Sequence, residues 1–303
     1  MFSVGSLGNP MDNSVASPGP QPRPVLEADH LVKTYRQDSG RRGERKKVLA
    51  LKQVSLSLPS GGRLALIGKS GSGKSTLARC LALLDTADSG EVRFCGAAVA
   101  RFSPSELRGV RSKIQLVWQH SAAALSPRLR AIDIAAEPLR IWKVESKKDR
   151  QDRALEMMTR LGLSPSLATR TSLQMSGGQR QRLAIARALM LRPAVLILDE
   201  AFAGLDAPLE RDITNILLEL QKALSLSLVF ITHDLRRAAN TADQIAVMLD
   251  GEIVEVGEMR RLLSRPKHAA TRELIAAMPE SQRKELSGPL LRQYSEAARG
   301  VSE

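Results

Sequence analysis

The chain alternates between short apolar runs and longer segments with helical periodicity. Nearly continuous apolar runs of strand length are typical of a sheet that is covered on both faces. We predict strands at residues 49–58, 63–67, 114–117, 194–198, 228–231 and 245–249. Helical spacing of apolar residues predicts helices at residues 76–84, 150–161 and 183–191. The alternation of the two element types indicates an α/β protein.

Residues 119–191 differ from the rest of the chain because they contain few strand patterns and mostly helical ones. We interpret this stretch as a mostly helical subdomain inserted into the sheet. Residues 1–24 are rich in Gly, Pro, Ser and Asn and lack both the basic start and the apolar core of a secretory signal. They are predicted to be a disordered leader.

A glycine-rich loop lies between the predicted strand 63–67 and the predicted helix 76–84. It fits the pattern Gly-x-x-x-x-Gly-Lys-Ser of a nucleotide phosphate cradle. Glycines allow successive backbone N–H groups to turn inward around phosphate oxygens, and a lysine ammonium reaches the terminal phosphates. A serine hydroxyl after that lysine suits Mg²⁺. The predicted phosphate-binding residues are Gly68, Lys69, Ser70, Gly71, Ser72, Gly73, Lys74, Ser75 and Thr76.

Composition and charge limit the classes of partner. The 303 residues are 43% hydrophobic but only 3% aromatic, and the net charge is +13. The basic cluster at residues 41–47 has no interleaved aromatics for stacking on bases. We interpret it first as a solvated loop, then as a contact for phospholipid headgroups, and last as a nucleic-acid site, so no nucleic-acid partner is predicted. Cys80 and Cys95 are predicted to be plain buried thiols.

No apolar run approaches the roughly 20 residues that a membrane-spanning helix needs. The chain is therefore expected to remain in the cytoplasm, and any association with a membrane is expected to be peripheral.

A second motif, Ser-Gly-Gly-Gln, begins at Ser176, ahead of the predicted helix 183–191. Ser176 is suited to cap that helix, with Gly177 and Gly178 presenting their amides as an anion site. At this point the chain resembles the ATP-binding cassette (ABC) family, whose signature reads Leu-Ser-Gly-Gly-Gln. Met175 stands here in place of the leucine. The resemblance adds Gln179 to the nucleotide-binding residues.

Further matches to this family follow in the expected order. The apolar run 195–198 ends in Asp199 and Glu200, which resembles the Walker B element. The resemblance implies that Asp199 holds Mg²⁺ and that Glu200 polarises the water attacking the γ-phosphate. Gln119 resembles the Q-loop glutamine, which reaches the metal and the water, and His233 resembles the switch histidine that contacts the γ-phosphate.

Two matches depart from the family pattern or are less specific. Tyr35 resembles the aromatic residue that stacks on adenine, although a tyrosine on a strand face would look the same. Asp206 resembles the aspartate of the Ser-Ala-Leu-Asp element, in which Ala203 and Gly204 replace Ser and Ala.

The resemblance implies a P-loop nucleoside triphosphatase (RecA-like) α/β core with the inserted helical subdomain and an N-terminal antiparallel β region. The ABC ATPase domain is placed at residues 25–266 and a C-terminal tail at 267–303. ATP and Mg²⁺ are the implied cofactors. In this family the cradle of one subunit faces the signature of a second, so two ATP molecules are sandwiched in a head-to-tail dimer.

Three segments resemble the oligopeptide, dipeptide and nickel importers: residues 119–128, 264–272 and 284–289. In the first, His120 replaces an acidic or amide residue. An importer of peptides or nickel complexes would need a second ATPase subunit, two transmembrane permease subunits and a substrate-binding protein. It would act at the cytoplasmic face of the inner membrane.

Two alternatives to an import ATPase remain. A soluble ABC machine of DNA repair or translation would need a long coiled-coil arm or two tandem cassettes. The interval from Gly68 to Ser176 is too short for such an arm, and the sequence contains no second cradle. A small P-loop kinase would leave Ser176 and His233 unexplained.

Overall fold

The computed structural model describes residues 23–38, 45–119, 121 and 123–280. The predicted leader up to residue 22, residues 41–44 of the basic cluster, His120 and the tail beyond residue 280 lie outside this part of the chain.

Strands and helices alternate along the chain. The strands are β1 (Pro24–Asp38), β2 (Arg45–Pro59), β3 (Arg63–Ile67), β4 (Ser89–Phe94), β5 (Ala97–Ala98), β6 (Ile114–Val117), β7 (Val195–Asp199), β8 (Ser227–Thr232), β9 (Gln244–Leu249) and β10 (Glu252–Glu258). The α-helices are α1 (Lys74–Leu81), α2 (Pro104–Lys113), α3 (Ala131–Ile141), α4 (Lys147–Arg160), α5 (Gly177–Leu189), α6 (Ala207–Leu224), α7 (Leu235–Thr241), α8 (Met259–Ser264) and α9 (Ala269–Ala276).

A six-stranded sheet forms the centre of the molecule, in the order β10-β9-β3-β8-β7-β6. Neighbours from β9 to β6 pair in parallel, and β10 pairs antiparallel with β9. Every residue of β7 and β8 is buried, as expected for strands covered on both faces. The carboxyl ends of β3, β7 and β8 therefore lie side by side, and the loops after them can form one site. The predicted α/β core is confirmed.

A second sheet, with the order β2-β1-β4-β5, is antiparallel. It corresponds to the antiparallel β region expected near the N-terminus. Buried leucines of β1 and β2 share a core with Leu77 of α1, which holds this sheet against the helix after the glycine-rich loop.

Helices α3, α4 and α5 lie between β6 and β7, inside the predicted helical stretch 119–191. They pack on one another through fully buried apolar side chains such as Met158 of α4 and Leu183 of α5. The same core continues onto β7 and β8, so the helical stretch is attached to the main sheet. The domain boundaries proposed from the sequence stay a prediction.

Three details differ from the sequence-based expectation. Helix α5 begins at Gly177, six residues before the predicted start at residue 183. The apolar pattern is weak there because the first turn consists of glycine and polar residues. The predicted strand ranges omitted β4, β5 and β10, and they also omitted β1, which was expected only as part of the N-terminal antiparallel region. The prediction that both cysteines are buried was wrong for Cys95, which is exposed beside the turn joining β4 to β5. Cys80 is buried, and burial raises the pKa of its thiol to about 11.

Candidate nucleotide site

The glycine-rich loop joins β3 to α1 and is shaped by close backbone contacts. Gly73 caps α1 with a φ of 104°, and a Cβ there would lie 2.5 Å from the carbonyl oxygen of Ala50. A Cβ on Gly68 would lie 2.2 Å from the carbonyl oxygen of Met248. Because backbone cannot move aside as a flexible side chain can, both positions require glycine. The loop is thereby pressed against β2 and β9.

Lys74 is the buried cation of this loop. Its Nζ donates to the carbonyl oxygens of Gly68 and Lys69, each at 2.8 Å, and lies 3.3 Å from Ser72 Oγ. Burial lowers its pKa, against the opposing effect of the carboxylates of Glu200 and Asp199. The ammonium therefore lies at the centre of the loop. Within the described residues it forms no direct ion pair with a carboxylate.

Asp199, at the end of β7, is the buried carboxylate opposite the loop. It is 4% exposed, and burial raises its pKa. A hydrogen bond from Ser75 and the charge of Lys74 act in the other direction. A hydroxyl and a carboxylate side by side are the oxygen ligands that a hard divalent cation takes together with phosphate oxygens and water. Within the described residues there is no cluster of three or more His, Cys, Asp or Glu side chains able to hold a metal alone.

Glu200 and His233 meet at the carboxyl ends of neighbouring strands. Glu200 Oε1 lies 3.2 Å from His233 Nδ1. Glu200 has a positive φ of 47°, and its backbone N–H donates to the carbonyl of Ile231 in β8 at 3.0 Å. A positive φ is costly for a non-glycine residue and needs such support. The contact to β8 thus fixes the direction of the Glu200 side chain.

A cleft of about 560 Å³ opens above the loop. It is lined by Gln119 and Glu200 together with the loop residues Ser70, Gly71, Gly73, Lys74, Ser75 and Thr76. The structure therefore brings most of the sequence-predicted residues of the cradle and of the following strands into one space. Lys69 points elsewhere and lies 3.4 Å from Glu273 of α9.

The opposite wall of this cleft was not predicted from the sequence. The wall consists of Val48, Leu49, Ala50, Lys52, Asp250 and Gly251. Val48 and Leu49 are 38% and 46% exposed, unusual for aliphatic side chains in a strand. The Asp-Gly pair at residues 250–251, directly after the predicted strand 245–249, is a hairpin signal that could have indicated this wall.

Tyr35 lies beside the cleft without being part of its described lining. Its hydroxyl donates to Asp85 Oδ2 at 2.6 Å and accepts from Arg79 Nη2 at 2.7 Å. The hydrogen bond from Tyr35 is the main cause of the lowered pKa of Asp85. The guanidinium of Arg79 also lies 5.4 Å from the centre of the ring. Tyr35 pairs across the sheet with Val48, which does line the cleft.

The signature segment lies apart from the cleft of its own chain. Ser176 caps α5: its Oγ accepts from Gln179 N at 3.2 Å, and Gln179 Oε1 accepts from Ser176 N at 2.9 Å. Gly177 is exposed, whereas a Cβ on Gly178 would lie 2.3 Å from the Leu209 side chain of α6. Gly178 thus also allows close packing within the chain.

Asp206 caps the next helix, α6, by accepting from Leu209 N at 2.9 Å. Neither this residue nor the segment 176–179 is part of the described lining of the cleft.

Residues 51–203 match the ABC transporter family. The dipeptide transport ATP-binding protein DppF of Escherichia coli is 39% identical over 274 residues, covering 88% of this chain and 82% of that protein. The oligopeptide transport ATP-binding protein OppD of Mycobacterium bovis is 41% identical, over 84% of this chain and 42% of that protein.

Solved structures agree. A dimeric post-hydrolysis state of the ATP-binding cassette MJ0796, bound to ADP and Pi, superposes with a TM-score of 0.69 at 31% identity. It covers 77% of this chain and 98% of that one. The cbiO1 protein of Clostridium perfringens, part of the transporter complex cbiONQ, has a TM-score of 0.69 at 25% identity, over 86% and 98% of the two chains. These relatives do not favour a non-transport machine. The chain therefore belongs to the ABC transporter family, as one of its ATP-binding and ATP-hydrolysing cassettes.

Proposed function

We propose that this cassette drives a peptide importer, hydrolysing ATP in its loop cleft while paired with a second cassette. The observation that carries the proposal is the division of the site. The cleft collects Lys74, Gln119 and Glu200 on one chain, whereas Ser176 lies outside it. Relatives named for dipeptide and oligopeptide transport support peptides as the cargo class. The two relatives named above are not named for nickel complexes, the other cargo suggested by the sequence.

Each polar group of the cleft has a distinct proposed role. The loop amides and Lys74 bind the β- and γ-phosphates, and burial strengthens this electrostatic contact. Ser75, Asp199 and Gln119 would hold Mg²⁺, which would neutralise charge at the phosphates. Glu200 accepts a proton from the attacking water. His233, whose Nδ1 lies 3.2 Å from Glu200 Oε1, donates toward the γ-phosphate.

The adenine base is proposed to lie at the apolar side of the cleft. Val48 and Leu49 give an exposed aliphatic surface there, and Tyr35 lies across the sheet from Val48. Because Arg79 and Asp85 hold the Tyr35 hydroxyl, the ring is fixed before nucleotide arrives, which reduces the entropy lost on binding.

A second cassette is proposed to complete the site. The exposed N-terminus of α5 offers backbone N–H groups to the γ-phosphate of the ATP that the partner subunit binds. The residues there are Ser176, Gly177, Gly178 and Gln179. Asp206, exposed at the start of α6, would lie at the same boundary. The dimeric arrangement of the MJ0796 cassette supports this pairing.

The transmembrane partners are proposed to dock beside Gln119. A groove of about 420 Å³ between β6 and α3 is lined by apolar side chains that include Trp118, Ile141 and Trp142. Ile141 and Leu84 at this groove are more than half exposed, at 53% and 54%. No helix in the described part of the chain is long and apolar enough to cross a membrane. We therefore propose two separate permease subunits, a substrate-binding protein, and peripheral attachment at the cytoplasmic face of the inner membrane.

The proposal is tested by Glu200→Gln, with Glu219→Gln on the exposed face of α6 as the matched control. We expect Glu200→Gln to bind ATP normally and to lower turnover by about 100-fold or more, because the proton acceptor is lost. The control should hydrolyse ATP at the native rate. Sustained hydrolysis by Glu200→Gln would refute the assigned role. Transport is tested by reconstituting the co-purified membrane subunits and measuring ATP-dependent peptide uptake.

A further inference from the structure

The helical stretch contains a cavity of about 300 Å³ between α3 and α4, which we call the basic cavity. Its lining includes four cations, Arg130, Arg140, Lys147 and Arg150, and one carboxylate, Asp133. It shares no lining residue with the nucleotide cleft or with the groove beside Gln119. Its volume is at the lower end of the range for small-ligand sites.

Asp133 does not neutralise the basic cavity. Its carboxylate accepts from Arg130 Nε at 2.7 Å and from Gln151 Nε2 at 3.0 Å. The hydrogen bond from Arg130 is the main cause of its lowered pKa, so the carboxylate is ionised and already paired. One of the four cations is thus compensated, and the other three leave an excess of positive charge.

Carboxylates near the cavity are engaged elsewhere. Glu137 lies 2.8 Å from Arg187 of α5 and only 3.7 Å from Arg140. Glu145 is 2.5 Å from Arg153. The ion pair of Arg140 with Glu137 is therefore long, and Arg140 shares that carboxylate with Arg187.

The start of α4 adds to the positive potential. Lys147 is the first residue of this 14-residue helix, where the unsatisfied N–H groups already carry partial positive charge and a cation is unfavourable. Arg150 is held by the carbonyl oxygens of Val144 and Glu145, at 3.3 and 2.8 Å, so its guanidinium direction is fixed. Lys147 therefore lies where a cation does not stabilise the helix, in a first turn that also contains Asp149.

We propose that the basic cavity binds a phosphate group, carried either by a free phosphate compound or by a phospholipid headgroup. Arg140, Lys147 and Arg150 line the same cavity, and their charges and N–H groups suit phosphate oxygens. The site lies on α3, whose residues Pro138 and Ile141 line the groove beside Gln119. Phosphate binding on one side of α3 is thus positioned to stabilise the groove on its other side.

The test compares two double variants of equal charge. Arg140→Gln with Lys147→Gln removes two cations of the cavity, whereas Lys148→Gln with Arg160→Gln removes two exposed cations of α4 that do not line it. Both are made in full-length chain carrying Lys74→Ala, which weakens binding of phosphate compounds in the nucleotide cleft. Binding of inorganic pyrophosphate is measured by calorimetry. Binding to vesicles of phosphatidylglycerol and phosphatidylcholine is measured by sedimentation.

We expect the cavity variant to bind about tenfold or more weakly than the control in at least one arm, because two charge-assisted contacts are lost. A difference with pyrophosphate assigns a free phosphate compound, and a difference with vesicles alone assigns a lipid headgroup. Equal loss in both double variants would mean a diffuse effect of surface charge and would overturn the proposal, as would no binding in either arm. Since no readout depends on hydrolysis, the result is independent of the proposed transport function.

Discussion

Asp199 shows at the scale of one residue how the site opposes stability. Its raised pKa means that the folded chain holds the proton more tightly than the unfolded chain does. The stability that the protonated Asp199 carboxyl contributes is therefore fully present below the pKa of the unfolded state, about 3.9. This contribution is lost as the pH rises through the folded pKa. We expect Asp199→Asn to raise the free energy of unfolding at pH 7, and this gain to vanish toward pH 4. Urea unfolding at a series of pH values measures it.

The matched control is Asp212→Asn on the exposed side of α6, which should change stability little at either pH. Asp199→Asn should also lose ATP turnover while it gains stability, as expected where a function requires a buried charge. An unchanged free energy of unfolding at pH 7 would argue against a folding cost at this carboxylate.

Residue identities near the cleft were predictable only where a motif fixes them. The loop 68–75 and the pair Asp199 and Glu200 follow from spacing and from the apolar strands before them. The apolar wall at Val48 and Leu49 depends on contacts between segments far apart in the chain, and so do the hydrogen bonds of the Tyr35 hydroxyl. Periodicity along one segment carries no information about such contacts.

At the scale of the element, α5 and α2 offer a direct comparison. Both helices begin with a capping box, at Ser176 with Gln179 and at Ser103 with Glu106. We expect Ser176→Ala and Ser103→Ala each to lower stability by about 1 kcal/mol. Only Ser176→Ala should also lower ATP turnover, because only that helix start is proposed to face a partner's nucleotide. Thermal unfolding and steady-state hydrolysis separate the two effects.

Equal turnover in Ser176→Ala and Ser103→Ala would reduce Ser176 to a helix cap and would contradict its role at the nucleotide. Equal turnover would leave the packing of Gly178 against Leu209 as the structural reason for the sequence there.

Elements were predictable in proportion to their burial. The fully buried strands β7 and β8 are visible as apolar runs, and the sequence located both. Strands β4 and β10 are partly exposed and rich in polar residues, and their extended form depends on hydrogen bonds to β1 and β9. Their pairing is set by tertiary structure rather than by local pattern.

At the scale of the whole molecule, the chain presents two incomplete surfaces. One is the cleft above the loop, and the other is the start of α5. A symmetric pair in which each surface meets its complement would have two equivalent nucleotide sites. A partner of different sequence would satisfy the same geometry, so the identity of the second cassette has to be measured.

Mixing two inactive variants distinguishes self-pairing from pairing with another chain. Lys74→Ala removes the ammonium from the cradle. Gly177→Asp puts a carboxylate at the exposed start of α5, where a Cβ meets no other atom within 4 Å and an acid favours the helix, so the fold should persist. In a head-to-tail pair of the two variants, the cradle of the Gly177→Asp chain meets the native α5 start of the Lys74→Ala chain. Random pairing of equal amounts would then restore about a quarter of the composite sites. We expect hydrolysis to reappear on mixing if the chain pairs with itself, and to stay absent if the native partner is a different cassette.

As a control, mixing Lys74→Ala with Glu200→Gln should restore no hydrolysis. Both changes lie in the same cleft, so no cleft in any pair has both Lys74 and Glu200.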